Sequence, residues 1–421
     1  MKTALSALAR RTAAPPISWL MSATLARPKL ISLAAGFTDN SSLPVREVRD
    51  SLNEILRSPR TGQTALQYGT TAGEPKLREW TAHRLQKLDG NTAPKIYSAE
   101  RVLITNGSQQ LLYMTAEALC DAGDIVLVED PTYFVFLGIV QNRGLRARGV
   151  RMTADGIDLA DLERVLESLK QRGKLPRLKL LYLVSYFQNP TGSTTSYAKK
   201  VAALKLLKKY ERAAGHPIYL LEDAAYRELR FAGDDVKSAL SAKGFADRVI
   251  YAGTYSKPFA TGLRVGFGVL PEPVLTAVTR IKGNHDFGTA NLLQQTLARA
   301  IAAGRYEKNL GGLRRRYAGK AAVMRAALQK HFPPAVKWDE AGGGLYYWAR
   351  LPCGAGTGVK SKMFKAALAA EVLYVPGAMC YADDDTRAKP DNEIRLSFGS
   401  ASEANIREGI KRLGAVLGKT L

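Results

Sequence analysis

The chain is poor in cysteine, with three in 421 residues (Cys120, Cys353 and Cys380), an odd number at wide spacing. That excludes a disulfide framework and offers no paired metal-ligand spacing, so no metal is expected, and a reducing cytoplasm is the expected compartment. Also lacking is any uninterrupted apolar run near the roughly 20 residues of a membrane-spanning helix. The longer helical patterns are broken by Lys and Arg, and a membrane is not an expected partner. Acidic residues are scarce, 38 Asp and Glu against 61 Lys and Arg, which gives a formal charge of +23. Such an excess raises nucleic acid as a partner. The bases, however, run from Arg10 to Lys419 with only short groups such as Arg314-Arg315-Arg316 and Lys208-Lys209, as on a solvated surface. The basic start of the chain resembles a targeting peptide, but Pro15-Pro16 and Arg27 interrupt its apolar stretch. No internal repeat or low-complexity tract is present.

What is there is ordinary globular composition, 46% hydrophobic and 24% charged, in a chain too long for one small core. Two unequal domains are expected. Between about 100 and 270, short apolar runs (RVLIT, DIVLVED, LKLLYLVS, PIYLLED, RVIYAGT, RVGFGVL) alternate with helical patterns such as YAKKVAALKLLKKYERAAG. Strands alternating with helices imply parallel crossovers and a layered α/β domain. After about 290 the pattern changes to long helical stretches followed by GGGLYYWARL, VLYVPG and EIRLSFG, a smaller α+β unit. The expected division is an N-terminal segment 1–45 packing with the small domain, a large domain 46–305 and a small domain 306–421.

In an open α/β sheet, ligands bind beyond the carboxyl ends of the strands, so the residues that follow each run are informative. After RVLIT comes NGSQQ opening a helix, where Ser108 and Gln109 with free backbone N–H groups suit a phosphate, although Ser108 alone also reads as an N-cap. FQNPTG is a turn signal that also presents the Asn189 amide at a strand end. Asp223 closes an apolar run, where a buried carboxylate needs a cation or donor unless it serves as a cap, and Tyr226 lies three residues on. Lys257, between Thr254, Ser256 and Arg264, is either a surface lysine or an amine whose pKa neighbouring cations depress. Together these groups meet the needs of pyridoxal phosphate, an electron sink held by a lysine.

In order along 15–420, ISLAAG, YGTTAGEPKLREW, ITNGSQQLL, VEDPTYF, FQNPTG, EDAAYRELRF, TYSKPFATGLRVG, GGGLYYW, YVPG and IRLSF resemble the fold-type I, class I/II aminotransferases, in particular the aminoadipate and kynurenine aminotransferase branch. The resemblance implies a mostly parallel sheet between helices plus a smaller α+β domain, and pyridoxal 5′-phosphate as cofactor. It implies that Lys257 holds the cofactor and shuttles the substrate α-proton, that Asp223 faces the ring nitrogen, and that Asn189 and Tyr226 serve the phenolic oxygen. Ser108, Gln109, Thr254, Ser256 and Arg264 match the phosphate cradle, and Tyr133 the aromatic over the ring. Tyr68 matches a tyrosine reaching the neighbouring subunit's phosphate, which implies a homodimer with shared sites. Arg395 matches the clamp on the substrate α-carboxylate, and Gly36 a backbone element of the substrate pocket. Amino acids and 2-oxo acids, 2-oxoglutarate among them, are the implied substrates.

One departure bears on specificity: a P-I-R stretch of the family, associated with acidic or polar side chains, reads Pro16-Ile17-Ser18-Trp19, and A-G-G reads Ala34-Ala35-Gly36 before Phe37. A lost cation and added aromatics point to an apolar or aromatic donor. Two other readings stand beside transamination: a lyase or decarboxylase using the same cofactor, and a regulatory ligand-binding module. The latter, as a fusion, needs roughly 70 residues of DNA-binding domain ahead of ISLAAG, which begins here at residue 31.

Overall fold

The six apolar runs expected between 100 and 270 become neighbours in one eight-stranded sheet of a computed structural model that describes residues 4–15, 18, 22, 26–90 and 95–421. Strands are numbered along the chain from β1 (Ile31–Ser32). The large sheet comprises β2 (Val102–Asn106), β3 (Ile125–Asp130), β4 (Arg146–Thr153), β5 (Gly156–Ile157), β6 (Leu178–Val184), β7 (Tyr219–Asp223), β8 (Val249–Thr254) and β9 (Val265–Val269), in the order β2-β9-β8-β7-β6-β3-β4-β5. β4, β3, β6, β7 and β8 pair in parallel, β9 runs against both β8 and β2, and β5 against β4.

The near-continuous apolar runs are explained by helices on both faces. Successive residues of β6 enter different cores: Leu180 and Tyr182 pack with Leu111, Phe136 and Val278, whereas Leu181 and Leu183 pack with Leu162, Leu204 and Leu207. The amphipathic stretch at 197 forms the helix Tyr197–Ala214 and stops at Gly215, φ +78°, in the left-handed region. The long stretch after 290 is two helices, Asn291–Ala302 and Arg305–His331, separated at Gly304 (φ +69°).

The second sheet is antiparallel, in the order β10 (Lys337–Trp338), β11 (Tyr346–Arg350), β14 (Glu393–Ser397), β13 (Val375–Pro376). VLYVPG divides: β12 (Val372–Leu373) leaves to pair in parallel with β1, and β13 pairs with β14. The first 45 residues therefore divide their contacts. Ile31 sits opposite Val372, while the helix Ala7–Arg11 lies on the helix Phe134–Arg143, with Arg11 Nε donating to the Asn142 carbonyl at 2.6 Å. No helix among the described residues is long and apolar enough to cross a membrane.

Candidate functional site

The strand ends that carried candidates in the sequence converge on one cavity of about 140 Å³. Ser108, Gln109, Tyr133, Asn189, Asp223, Tyr226, Thr254, Ser256, Lys257 and Arg264 all line it. β7 ends in Asp223 and β8 in Thr254, and their parallel pairing puts both ends on the same edge of the sheet. The helix Gly107–Leu119 starts directly after β2, so its free N–H groups point at the same edge. Gly266 on β9 permits that approach: a Cβ there would lie 2.4 Å from the Ser108 backbone nitrogen.

Asp223 is 2% exposed, and among the described residues its hydrogen-bond donors are the Tyr182 hydroxyl at 2.8 Å and the Ala225 N–H at 3.1 Å. Burial pushes its carboxyl up to about 6, against the lowering effect of those two donors. Such a carboxylate has room for a cationic partner, and a protonated ring nitrogen is one. Burial, reinforced by the charges of Arg395 and Arg264, lowers the Lys257 amine to about 8. Its Nζ donates to the Gly36 carbonyl at 2.6 Å, which brings the N-terminal segment to the site. Arg264 adopts φ +53° and directs its guanidinium to within 3.4 Å of Ser256 Oγ, beside the helix start. Helix N–H groups, three hydroxyls (Ser108, Thr254 and Ser256) and an arginine form a donor set for a phosphate dianion, and the cavity thus fits a phosphorylated, ring-nitrogen cofactor.

Arg395 is 1% exposed and adjoins the cavity through Asn189, donating to its Oδ1 at 2.7 Å and to the Ala34 carbonyl at 2.6 Å. Its Nε has no hydrogen-bond partner among the described residues, a buried donor left for an anion such as a substrate carboxylate. Tyr68 is not brought to the cavity within one chain. It is 81% exposed and stands against Phe287 on the wall of a separate cleft. Of the specificity stretch, Ser18 is exposed, and Pro16, Ile17 and Trp19 lie outside the described residues.

Sequence reasoning missed two tyrosines. Tyr182, inside the apolar run of β6, reads as core and yet is the hydroxyl on Asp223. Tyr346 lies in GGGLYYW with no role assigned. Its hydroxyl is 2.9 Å from that of Tyr226 and 3.5 Å from Asn189 Nδ2, and the Arg395 guanidinium lies 4.4 Å from its ring centre. The signal that could have found it is cross-strand register, since Tyr346 is opposite Ser397 and therefore diagonal to Arg395. Among the described residues no group of three or more His, Cys, Asp or Glu is placed to hold a metal.

A mostly parallel sheet between helices, with a lysine of depressed pKa and an isolated carboxylate at adjacent strand ends, defines a pyridoxal-phosphate-dependent transferase of fold type I. The family model for aminotransferase class I and II matches residues 28–413, and the chain belongs to that family. It is 33% identical to the 2-aminoadipate transaminase of Thermus thermophilus, over 93% of this chain and 91% of that one. It is 31% identical to aromatic-amino-acid aminotransferase 1 of Thermococcus litoralis, over 92% and 88% respectively. A kynurenine aminotransferase of Pyrococcus horikoshii superimposes with a TM-score of 0.88 at 32% identity, covering 99% of this chain and 98% of that one. The protein is a transaminase using pyridoxal phosphate, acting between amino acids and 2-oxo acids; the lyase and regulatory readings are not favoured.

Proposed function

We propose that the cavity beneath Lys257 is the transamination site and that its donors are L-amino acids with apolar or aromatic side chains, with 2-oxoglutarate as the acceptor. The observation that carries this reading is the pair of opposed groups on one cavity, Asp223 with its pKa raised and Lys257 with its pKa lowered. Among the described residues the cations lining the cavity are Lys257 and Arg264, and both already have roles, which leaves neither for an acidic side chain. Phe37, 45% exposed, follows the Gly36 carbonyl that receives Lys257.

Bound there, pyridoxal phosphate supplies an electron sink for the substrate carbon that loses its proton. Asp223 would keep a positive charge on the ring nitrogen, and it has no ion pair of its own among the described residues. Ser108, Gln109, Thr254, Ser256 and Arg264 would hold the phosphate, Asn189 and Tyr226 would serve the phenolic oxygen, and Tyr133 would lie against the ring. Arg395 orients the donor through its α-carboxylate. Lys257, with an appreciable neutral fraction near pH 8, takes the α-proton and returns it.

Tyr68 serves the partner subunit of a homodimer. Leu66 (69% exposed), Tyr68 and Phe287 (57%) give that cleft an apolar rim suited to a second copy. The domain division is 46–305 for the cofactor domain and 306–421 for the small one, and three free cysteines fit a cytoplasmic location. A panel of amino donors with 2-oxoglutarate tests the reading. Stoichiometric 2-oxo acid from aromatic donors is expected, and Lys257→Ala should lose about a thousandfold in turnover. Carbon dioxide or ammonia as the main product, or a fully active Lys257→Ala protein, refutes it.

A further inference from the structure

The excess positive charge has no part in the site described above, but some of it is organised. Away from that site, a cleft of about 450 Å³ is walled by Arg146, Arg148, Arg164, Arg172, Lys174 and Arg177. Two elements supply four of these cations in register, and Lys174 and Arg177 come from the turn that follows. On β4, Arg146 and Arg148 are two residues apart and share a face. Along the helix Leu159–Gln171 and its cap, Arg164, Ser168 and Arg172 recur every four residues and share a stripe. The loop at Asp384 bounds the cleft at one end.

Three of the six cations are neutralised. Arg148 holds Asp384 at 2.8 Å and also pairs with Asp385, Arg164 holds Asp161 at 2.7 Å, and Arg177 is 3.4 Å from Asp124. Arg146, Arg172 and Lys174 have no ion pair among the described residues. Cations beyond a helix C-terminus are favoured by its dipole, which accounts for Arg172 and Lys174 by themselves. It does not account for Arg146, which comes from the strand β4 and lines the same cleft. Three unpaired cations around a concave volume in the range of small-molecule sites describe a receptor for concentrated negative charge. A nucleic-acid duplex instead needs an open stripe that follows evenly spaced phosphates.

We propose that this cleft binds a compact polyanion, a small molecule carrying two or more linked phosphate groups, through Arg146, Arg172 and Lys174, with Ser168 as a neutral donor. The site is distinct from the transamination cavity and shares no lining residue with it.

The test is titration calorimetry on cofactor-loaded, full-length protein at about physiological ionic strength, so that the cofactor's own phosphate cradle is filled. Inorganic tripolyphosphate, ADP and a short DNA duplex are the probes. One saturable tripolyphosphate site per chain is expected, weakened at least about tenfold in Arg146→Ser/Arg172→Ser/Lys174→Ser and retained in Arg146→Lys/Arg172→Lys. Transaminase activity of both variants should equal that of the parent, which reports an intact fold. ADP competing with tripolyphosphate identifies a nucleotide diphosphate as a source; tripolyphosphate binding without ADP binding identifies a free polyphosphate. No saturable binding, binding unchanged in the triple serine variant, or duplex DNA displacing tripolyphosphate as the tighter ligand overturns the proposal.

Discussion

Gly36 and Tyr346 make the sharpest test of how the site is assembled. A Cβ built on Gly36 would lie 2.4 Å from Tyr346 Oη, with the ring carbon Cζ next at 3.5 Å. The first distance is far inside contact range and the second is an ordinary van der Waals contact. Tyr346 cannot simply swing away: it is 2% exposed, hydrogen bonded to Tyr226 and capped by the Arg395 guanidinium. Gly36→Ala should therefore cost about 1–3 kcal/mol, as overpacking does in a closed core. Tyr346→Phe should cost about 0.5–1.5 kcal/mol for the hydrogen bond lost to Tyr226. The phenylalanine, however, removes the very atom that the new methyl strikes. The double variant should then be more stable than the sum of the singles by about 1–2 kcal/mol, a coupling expected of residues in contact. Function should follow, because the Gly36 carbonyl receives Lys257. Displacing it in Gly36→Ala should lower kcat/KM by about ten- to a hundredfold, with partial recovery in the double variant. Urea unfolding of the four proteins and steady-state kinetics with an aromatic donor give both readings. Strict additivity, within about 0.5 kcal/mol, would refute the contact.

The pH dependence of the cofactor-free protein checks the two perturbed groups. Lys257 has a folded pKa of about 8 below an unfolded value near 10.5, so its destabilisation is full below pH 8 and disappears as pH rises through 10.5. Lys257→Met should be more stable than the parent by up to about 3 kcal/mol at pH 7, and the gap should close by pH 10.5 in matched urea titrations. A constant gap refutes the shift. Asp223 has the opposite sense: with a folded pKa of about 6 above an unfolded 3.8, it destabilises only once ionised. The advantage of Asp223→Asn should grow between pH 4 and 6, towards about 3 kcal/mol, while its turnover collapses; a pH-independent difference would show that Asp223 is not desolvated. Tyr68→Ala should leave monomer stability within about 0.5 kcal/mol, since the ring is exposed, yet weaken pyridoxal phosphate binding measured by fluorescence titration. Unchanged cofactor affinity would remove Tyr68 from the partner's site.

The chain's periodicity was sufficient to place the large sheet. Four of the five parallel strands, β3, β6, β7 and β8, are buried on both faces and read as unbroken apolar runs that reveal themselves without alignment. β4 went unread because it lies towards the sheet edge and its outward positions are Arg146, Arg148 and Arg151, so RARGVRMT looks like a polar loop. The small sheet was less legible. VLYVPG reads as one strand, but its two halves pair with different partners, β12 with β1 and β13 with β14.

By itself the sequence determined which residues sit at strand ends, because an apolar run and the turn that follows it are local features. That was enough to nominate Lys257, Asp223, Asn189, Ser108 and Arg264, all of which line one cavity. Only the tertiary structure decided which residues meet across long separations. Arg395 reaches Ala34 and Asn189, Tyr346 joins Tyr226, and Arg146 and Arg172 line one cleft. The physical reason is that periodicity assigns a residue to a face, whereas its neighbour on that face is chosen by strand pairing and layer packing between segments distant in the chain.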